Sequence, residues 1–279
     1  IRLLLAVRVG EVWPPQLARQ IATIDQMAGG RLRVNIISSD MPGQKLESKA
    51  RYQRTREYMQ VLRRLLDGQP VDHHGEFLDL ELDPPGVATV SGRCPPLFFG
   101  GFSEAAKETA AAECDVFLTW PDTVGAVAET VDDMRARAAR HGRSLSYGLR
   151  SHVIVRETEA GALAAAQHLV SRLDDDKGAD IRGRSLDSAS VGVDRQTQLR
   201  QMSDSDGFVE AGLWTGVGRA RSGAGAAIVG DPDQVVAKLN AYREVGIDAF
   251  ILFGYPHIAE CELVGEHVLP RIRHAPLAV

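Results

Sequence analysis

Short apolar runs that alternate with amphipathic helical stretches constrain the fold of this chain more than any other feature of its sequence. Short, nearly continuous apolar runs are typical of strands in a parallel sheet, and apolar residues at helical spacing are typical of the helices that cover it. The first of these helices is predicted to begin at Pro14-Pro15, since proline suits a first helical turn. Apolar residues recur at helical spacing from there until Gly29-Gly30. Six strand–helix pairs follow this pattern along the chain.

This alternation predicts a parallel sheet with helices on its faces. A doubly wound dinucleotide fold would need G-x-G-x-x-G after a strand, and neither GVGRAR (216–221) nor SGAGAA (222–227) has that spacing. A (β/α)8 TIM barrel fits better. It requires two more strand–helix pairs, which we expect before Ile1, because the first apolar run begins there.

We predict a single domain over residues 1–279. Residues 174–225 break the strand–helix rhythm with an acidic run, many Ser and Gly residues and little apolar content. A long insertion of this kind is usually a functional lid or a disordered segment, and we predict a lid.

Composition narrows the classes of partner. A net charge of −5 and a pI near 5.9 argue against a general nucleic-acid-binding surface. No apolar run is long enough to span a membrane. The three cysteines are scattered without a C-x-x-C, which indicates reduced thiols and neither disulfides nor a zinc site. We therefore expect a cytoplasmic protein with no metal, nucleic-acid or membrane partner.

Residues 249–257, AFILFGYPH, are a candidate active site. The apolar run predicts a buried strand, and its carboxyl end delivers a phenol and an imidazole on either side of Pro256. The carboxyl ends of strands carry the chemistry in barrels of this type. The alternative is that Tyr255 is a core residue and His257 a hydrogen-bonded one.

Two further motifs carry arginine. In RSHVIVRE (150–157), Arg150 and His152 lie on one face of a predicted strand, so the arginine faces either an anionic ligand or a structural carboxylate. In GVGRARSGAG (216–225), glycines could let a loop close and Arg221 grip an oxyanion, although taken alone a solvated basic loop is favoured.

A possible phosphate cradle is GGFSE (100–104), where glycines and a Ser N-cap expose amide groups at a helix start. An ordinary capped turn is the alternative. Asn35 is polar in a predicted buried strand and needs a partner or a ligand. Tyr52 and Trp120 could offer aromatic faces to a cofactor or simply pack in the core.

In this order the motifs resemble the bacterial luciferase-like flavin monooxygenases, and within them the alkanesulfonate monooxygenase branch. The resemblance runs from about residue 2 to residue 272. It is carried by ARQIATIDQMAGGRLRVNII (18–37), PPLFFGG (95–101), DVFLTW (115–120), RSHVIVRET (150–158), LWTGVGRARSGAGAAIVGD (213–231) and GIDAFILFGYPH (246–257).

The resemblance implies a luciferase-like (β/α)8 barrel that takes reduced FMN from a separate NAD(P)H-dependent FMN reductase. With O2 it would convert an alkanesulfonate to an aldehyde and sulfite, as a homo-oligomer (dimer or tetramer). The positions matched to the family's catalytic residues are Arg150, His152, Arg221, Tyr255 and His257. Those matched to flavin contacts are Asn35, Tyr52, Gly101, Ser103 and Trp120.

Other functions share this scaffold. Related branches oxidise sulfones, long alkanes or heterocycles. An F420-dependent hydride-transfer enzyme would need no sulfonate site, and a degenerate flavin-binding barrel would have no activity.

Overall fold

The computed structural model describes residues 2–41, 43–184, 190–277 and 279. The chain groups into two compact units. One comprises Ile1–Phe117, Met134–Leu145 and Val279, and the other comprises Leu118–Asp133 and Ser146–Ala278. The single domain expected over residues 1–279 stays a prediction.

Parallel strands form the sheet of the first unit. Its elements are β1 (Leu3–Arg8), α1 (Pro14–Met27), β2 (Leu32–Ile37), α2 (Ser48–Leu66), β3 (Val71–His74), β4 (Asp79–Leu82), β5 (Leu97–Phe99), α3 (Glu104–Glu113), the start of β6 (Val116–Thr119) and the end of α4 (Val124–Arg140). β1 pairs with β2, β2 with β5 and β5 with β6, each in parallel. This is the strand–helix alternation that the sequence predicts.

The second unit is organised around one long strand. Its elements after α4 are β7 (Ser146–Val155), α5 (Glu159–Val170), α6 (Asp175–Gly183), α7 (Val191–Gln201), β8 (Phe208–Glu210), β9 (Leu213–Trp214), β10 (Ala227–Gly230), α8 (Pro232–Glu244), β11 (Ala249–Phe253) and α9 (His257–His267). β7 pairs in parallel with β11 and, nearer its carboxyl end, with β10. β10 continues into the antiparallel strands β9 and β8.

Side-chain caps fix where several helices begin. Ser103 caps α3 by accepting a hydrogen bond from the Ala106 amide, and Thr158 caps α5 in the same way. Asp231 and Gln234 form a reciprocal capping box at α8. Each cap satisfies a backbone N–H that the helix leaves unpaired and contributes about 1 kcal/mol.

Three features of the fold differ from the sequence pattern. The region predicted to be irregular, residues 68–96, contains the β3–β4 hairpin. The hairpin turn is held by Glu57 of α2, whose carboxylate accepts hydrogen bonds from three backbone amides at positions 76–78. The predicted insertion contains α6, α7, β8 and β9, although residues 185–189 lie outside the described residues. The hairpin carries no local periodicity, because contacts with α2 such as those of Glu57 stabilise it. The lid over residues 174–225 stays a prediction.

The third difference concerns the first and last strands, which the sequence predicts to be buried. In β1 only Val7 is buried and Leu3 is 48% exposed, while all five residues of β11 are half-buried. Within the described residues β1 pairs only with β2, and β11 only with β7. An apolar run indicates a strand, but its burial depends on neighbours that the run itself does not specify.

Two negative findings apply to the described residues. No helix among them is long and apolar enough to cross a membrane. No group of three or more His, Cys, Asp or Glu side chains among them could hold a metal ion.

Candidate active site

The centre of the site is the parallel pair β7–β11. Arg150 lies opposite Ile251 and His152 lies opposite Phe253 in the register of the two strands. Side chains alternate along a strand, so Arg150 and His152 share one face while Ser151, which is fully buried, lies on the other. The strand pairing thereby places a guanidinium group and an imidazole beside the aromatic end of β11.

A stack of rings follows the end of β11. The imidazole of His152 lies 3.9 Å from the ring of Phe253 and 5.3 Å from that of Tyr255, measured between centroids. The rings of Tyr255 and His257 are 4.8 Å apart. The Tyr255–Pro256 peptide is cis. The turn between β11 and α9 therefore places the phenol of Tyr255 and the imidazole of His257 beside the imidazole of His152 from β7.

Two guanidinium groups approach the same aromatic ring. The Cζ atoms of Arg150 and Arg221 lie 4.8 and 5.7 Å from the centroid of Phe253. Arg221 also donates a hydrogen bond of 2.6 Å from Nη1 to the Tyr255 hydroxyl. Within the described residues neither arginine forms an ion pair with a carboxylate, and Nε of Arg221 is buried without a hydrogen-bond partner. The cluster holds two positive charges and no compensating negative one.

Burial, and then this charge excess, determine the protonation of His152. Burial lowers its pKa to about 3, with further lowering from Arg221 and Arg150 that outweighs an opposing backbone hydrogen bond with Ala224. Burial and Arg221 also lower the pKa of Arg150. Because arginine stays charged far above neutral pH, the site at pH 7 contains two cations and a neutral imidazole. The buried Nε2 atom of that imidazole has no partner among the described residues.

A buried ion pair fixes α9 against β7. Both carboxylate oxygens of Glu260 accept hydrogen bonds from Arg156, at 2.6 and 3.1 Å, and Glu260 is only 2% exposed. A Cβ atom at Gly254 would lie 2.7 Å from the Glu260 side chain and 2.9 Å from the Val153 carbonyl. The absence of a side chain at Gly254 therefore lets the first turn of α9 pack closely against β7, which positions Tyr255 and His257.

The loop that carries Arg221, residues 216–225, also reaches an aromatic side chain. A Cβ atom built at Gly223 would lie 3.8 Å from Cζ2 of Trp120, which follows β6. We name this segment the Arg221 loop. It places its arginine at Phe253 and its glycine-rich tip beside Trp120.

The first unit contains a separate cluster at the start of α3. Ser103 caps this helix, and a Cβ atom at Gly101 would lie 2.5 Å from Cβ of Ala106 and 3.3 Å from the Tyr52 hydroxyl. The ring of Tyr52 packs edge-on against Phe99, with centroids 6.2 Å apart. Only glycine fits between the tyrosine and the helix. Backbone amides at a helix start, next to a close-fitting glycine, are suited to a phosphate group.

The family model for luciferase-like monooxygenases matches residues 1–249. The chain belongs to this family.

Two relatives within this group are similar over almost the whole chain. A sulfoquinovose monooxygenase of Novosphingobium aromaticivorans is 57% identical over 286 residues, covering 100% of this chain and 79% of the relative. A sulfoquinovose monooxygenase of Agrobacterium fabrum is 47% identical over 280 residues, covering 99% of this chain and 72% of the relative.

Solved structures agree on the fold of this luciferase-like monooxygenase. Riboflavin lyase RcaE, solved with a modified FMN and its substrate riboflavin, superposes with a TM-score of 0.78 at 18% identity. The match covers 97% of this chain and 70% of that one. At such low identity the comparison shows the fold alone. Together with the family match it confirms the predicted luciferase-like TIM-barrel fold class.

The structure sorts the residues that the sequence singled out in this luciferase-like monooxygenase. Those predicted to be catalytic come together in the second unit: Arg150, His152, Arg221, Tyr255 and His257. Three of the flavin candidates form the cluster in the first unit: Tyr52, Gly101 and Ser103. Asn35 lies half-buried on β2, opposite Phe98 of β5, and Trp120 lies beside the Arg221 loop. The roles of all ten stay predictions.

Sequence reasoning missed Phe253, the ring that both arginines approach. Its signal was available, because Phe253 immediately precedes the GYPH motif and ends the apolar run. A cavity of about 540 Å³ beside β11 and α9 also includes Phe253 and His257 but none of the other predicted catalytic residues. The cavity therefore adds no support to the cluster, which rests on its side-chain geometry.

Proposed function

We propose that this luciferase-like monooxygenase uses reduced FMN and O2 to cleave the carbon–sulfur bond of a sulfonate, with sulfoquinovose as its substrate. The observation that carries the proposal is the pair of guanidinium groups at Phe253, which has no carboxylate partner in the described part of the chain.

A sulfonate matches this cluster in charge and shape. Burial and the neighbouring Arg221 lower the pKa of Arg150, and two partly buried cations this close together are costly unless an anion joins them. A sulfonate is ionised at every physiological pH and offers three oxygens, so it can accept hydrogen bonds from both guanidinium groups at once. A neutral substrate such as an alkane would leave both charges uncompensated.

The choice of sulfoquinovose over a simple alkanesulfonate rests on the relatives. Two curated sulfoquinovose monooxygenases are 57% and 47% identical across nearly all of this chain. The arginine pair alone fits either substrate, because both carry the same anionic group. A sugar sulfonate differs in the hydroxyl groups beside it, and the substrate panel described below separates the two.

The residues of the first unit fit a flavin phosphate. The close approach at Gly101 leaves room for backbone but not for a side chain, and Ser103 starts α3 there. In the first unit, the residues that would hold the cofactor are Asn35, Tyr52, Gly101 and Ser103. Bound reduced FMN would supply the two electrons that activate dioxygen, so that sulfonate, O2 and FMNH2 yield aldehyde, hydrogensulfite, FMN and water. A separate NAD(P)H-dependent reductase would provide the reduced FMN.

The protein's own groups bind the anion and handle protons. Arg150 and Arg221 hold the sulfonate and stabilise the negative charge of the departing sulfite. The Tyr255 hydroxyl oxygen accepts from Arg221, which leaves the hydroxyl hydrogen free to be donated. His152 is neutral, and its Nε2 atom, which has no partner in the described part of the chain, can accept a hydrogen bond. The Arg221 loop would exclude water at Trp120, since activated oxygen is best used out of contact with solvent.

Sulfite release tests the proposal. The chain would be assayed under air with a flavin reductase, NAD(P)H and FMN, on sulfoquinovose, octanesulfonate and 6-deoxyglucose, which lacks the sulfonate. We expect sulfite from sulfoquinovose with a kcat/KM at least about 100-fold above that for octanesulfonate. If octanesulfonate were preferred, the substrate would be an alkanesulfonate and not a sugar sulfonate. If neither sulfonate released sulfite, the proposed desulfonation would be wrong.

Arg221→Ala tests the site within the same assay. Loss of one buried charge-assisted contact costs about 2–5 kcal/mol, so we expect kcat/KM to fall by about 30-fold or more while FMN affinity is unchanged. Arg243→Ala, at an exposed position on α8, is the matched control. Equal losses in both variants, or none in Arg221→Ala, would show that the loop arginine is only a surface charge.

A further inference from the structure

Gln196 of α7 is a buried polar residue that connects two segments of the site. It is 7% exposed. Its Nε2 donates a hydrogen bond of 2.8 Å to the Pro121 carbonyl, directly after Trp120. Its Oε1 accepts one of 2.9 Å from the Gly225 amide, at the end of the Arg221 loop. One side chain thus bridges the residue next to Trp120 and the base of the loop that carries Arg221.

Within the Arg221 loop, Gly218 and Gly225 contact each other and form its neck. A Cβ atom at Gly225 would lie 3.1 Å from the Gly218 Cα, and one at Gly218 would lie 3.2 Å from the Gly225 carbonyl oxygen. The Gly218 carbonyl accepts hydrogen bonds from Arg200 of α7 and from Arg182 of α6. Residues 219–224, with Arg221 among them, therefore form a loop that is closed at its neck and held there by α6 and α7.

An ion pair fixes α7 to the segment after Trp120. Arg195 donates to both carboxylate oxygens of Asp122, at 2.6 and 2.9 Å, and Asp122 raises the pKa of Arg195. The Asp122 carbonyl in turn accepts a hydrogen bond of 2.6 Å from the buried hydroxyl of Tyr242 in α8. Since Gln196 follows Arg195, its side chain is presented by a helix that is itself anchored.

We propose that Gln196 is a positioning residue: by holding the neck of the Arg221 loop closed against Pro121, it keeps Arg221 at Tyr255 and Phe253. The proposal rests on the proposed function for the role of Arg221 in sulfonate binding. Gln196 lies outside the predicted catalytic set. The proposal assigns to α7, which lies in the segment predicted to be a lid, the function of holding the Arg221 loop.

The physical basis is the satisfaction of two buried backbone groups. Without the Gln196 amide, the Gly225 N–H and the Pro121 carbonyl lose their partner in a place from which water is largely excluded, which destabilises the closed loop. The glycines at 216, 218, 223 and 225 provide many alternative backbone conformations. Loss of one side chain should therefore release the loop without unfolding the strands beneath it.

Limited trypsin digestion tests the loop without substrate or flavin. The bonds after Arg219 and Arg221 are reporters within the loop, and their cleavage would be followed by mass spectrometry. We expect Gln196→Ala to raise cleavage at these two bonds about tenfold. Gln198→Ala, at an exposed position on the same helix, should digest like the wild type. Wild-type cleavage in Gln196→Ala would overturn the proposal.

A second variant and a kinetic measurement separate positioning from general stability. Gln196→Glu keeps the acceptor for Gly225 but loses the donor to Pro121, so we expect trypsin cleavage between that of the wild type and that of Gln196→Ala. If Gln196→Ala does not fold, Gln196→Glu takes its place in the test. In turnover, Gln196→Ala should raise KM for the sulfonate more than it lowers kcat. Added to Arg221→Ala, it should cause little further loss. If the losses of kcat/KM in the two single variants added up in the double variant, Gln196 would not act through Arg221. If turnover were lost in Gln196→Ala while digestion stayed at the wild-type level, the positioning proposal would be wrong and the proposed function would stand.

Discussion

At the scale of one residue, burial and the two neighbouring arginines keep the imidazole of His152 neutral. Its pKa in the folded protein is about 3, against 6.5 for an ordinary histidine, mainly because of burial and then because of the two arginines. A residue with this pKa is uncharged wherever the enzyme would work. It therefore adds no third positive charge to the anion site, and it cannot serve there as a cationic acid.

The lowered pKa has a consequence for stability. Between pH 6.5 and pH 3 the unfolded chain binds a proton at this histidine that the folded chain does not, so stability is complete above this window and falls as the pH decreases. The contribution is about 1.4 kcal/mol per pH unit. We expect the urea-unfolding free energy of His152→Gln to depend less steeply on pH, by this amount, between pH 5.5 and pH 4. Parallel pH dependences in the two proteins would show that the histidine is already protonated in the folded state.

At the scale of one element, the start of α3 shows why a glycine occupies position 101. A methyl group there would lie 2.5 Å from Cβ of Ala106, well inside contact distance, so Gly101→Ala must displace the first turn of the helix or the strand end before it. If the amides of this turn hold the FMN phosphate, the displacement misdirects them.

We therefore expect Gly101→Ala to raise the Kd for FMN about tenfold or more, measured by flavin fluorescence quenching, while the protein remains folded by circular dichroism. Gly125→Ala is the matched control, since a Cβ atom at Gly125, near the start of α4, has nothing within 4 Å. Unchanged FMN affinity in Gly101→Ala would remove this turn from the flavin site.

Most elements could be predicted from the sequence because each carries its own local pattern. The helix bounds after Pro14, Ser103 and Asp231 follow from caps and apolar spacing, and they agree closely with the structure. Helix α7 has no such pattern, because its buried positions include a glutamine that is satisfied only by distant backbone groups. Likewise the strand motifs placed Arg150 and His152 on one face, but no local signal showed that Arg221 would meet Tyr255.

On the scale of the whole molecule, the positive charge of the site is opposite in sign to the net charge of the chain. The chain carries a net charge of −5, yet the described cluster at Phe253 holds two cations without a carboxylate partner. An anionic substrate therefore gains little from long-range attraction, and its selection depends on local contacts. Those contacts should also stabilise the folded protein as a whole, because an anion that binds only the folded state shifts the unfolding equilibrium.

Thermal unfolding measures this coupling without flavin, oxygen or reductase. A ligand at about 100 times its Kd adds about 2.7 kcal/mol, which in a chain of 279 residues raises Tm by about 5 °C. We expect sulfoquinovose to produce such a shift in the wild-type protein and 6-deoxyglucose, which lacks only the sulfonate, to produce none. The variant Arg150→Ala/Arg221→Ala should lose the shift, whereas Arg243→Ala should keep it. An equal shift with the uncharged sugar would mean that the hydroxyl groups, and not the two arginines, provide the binding energy.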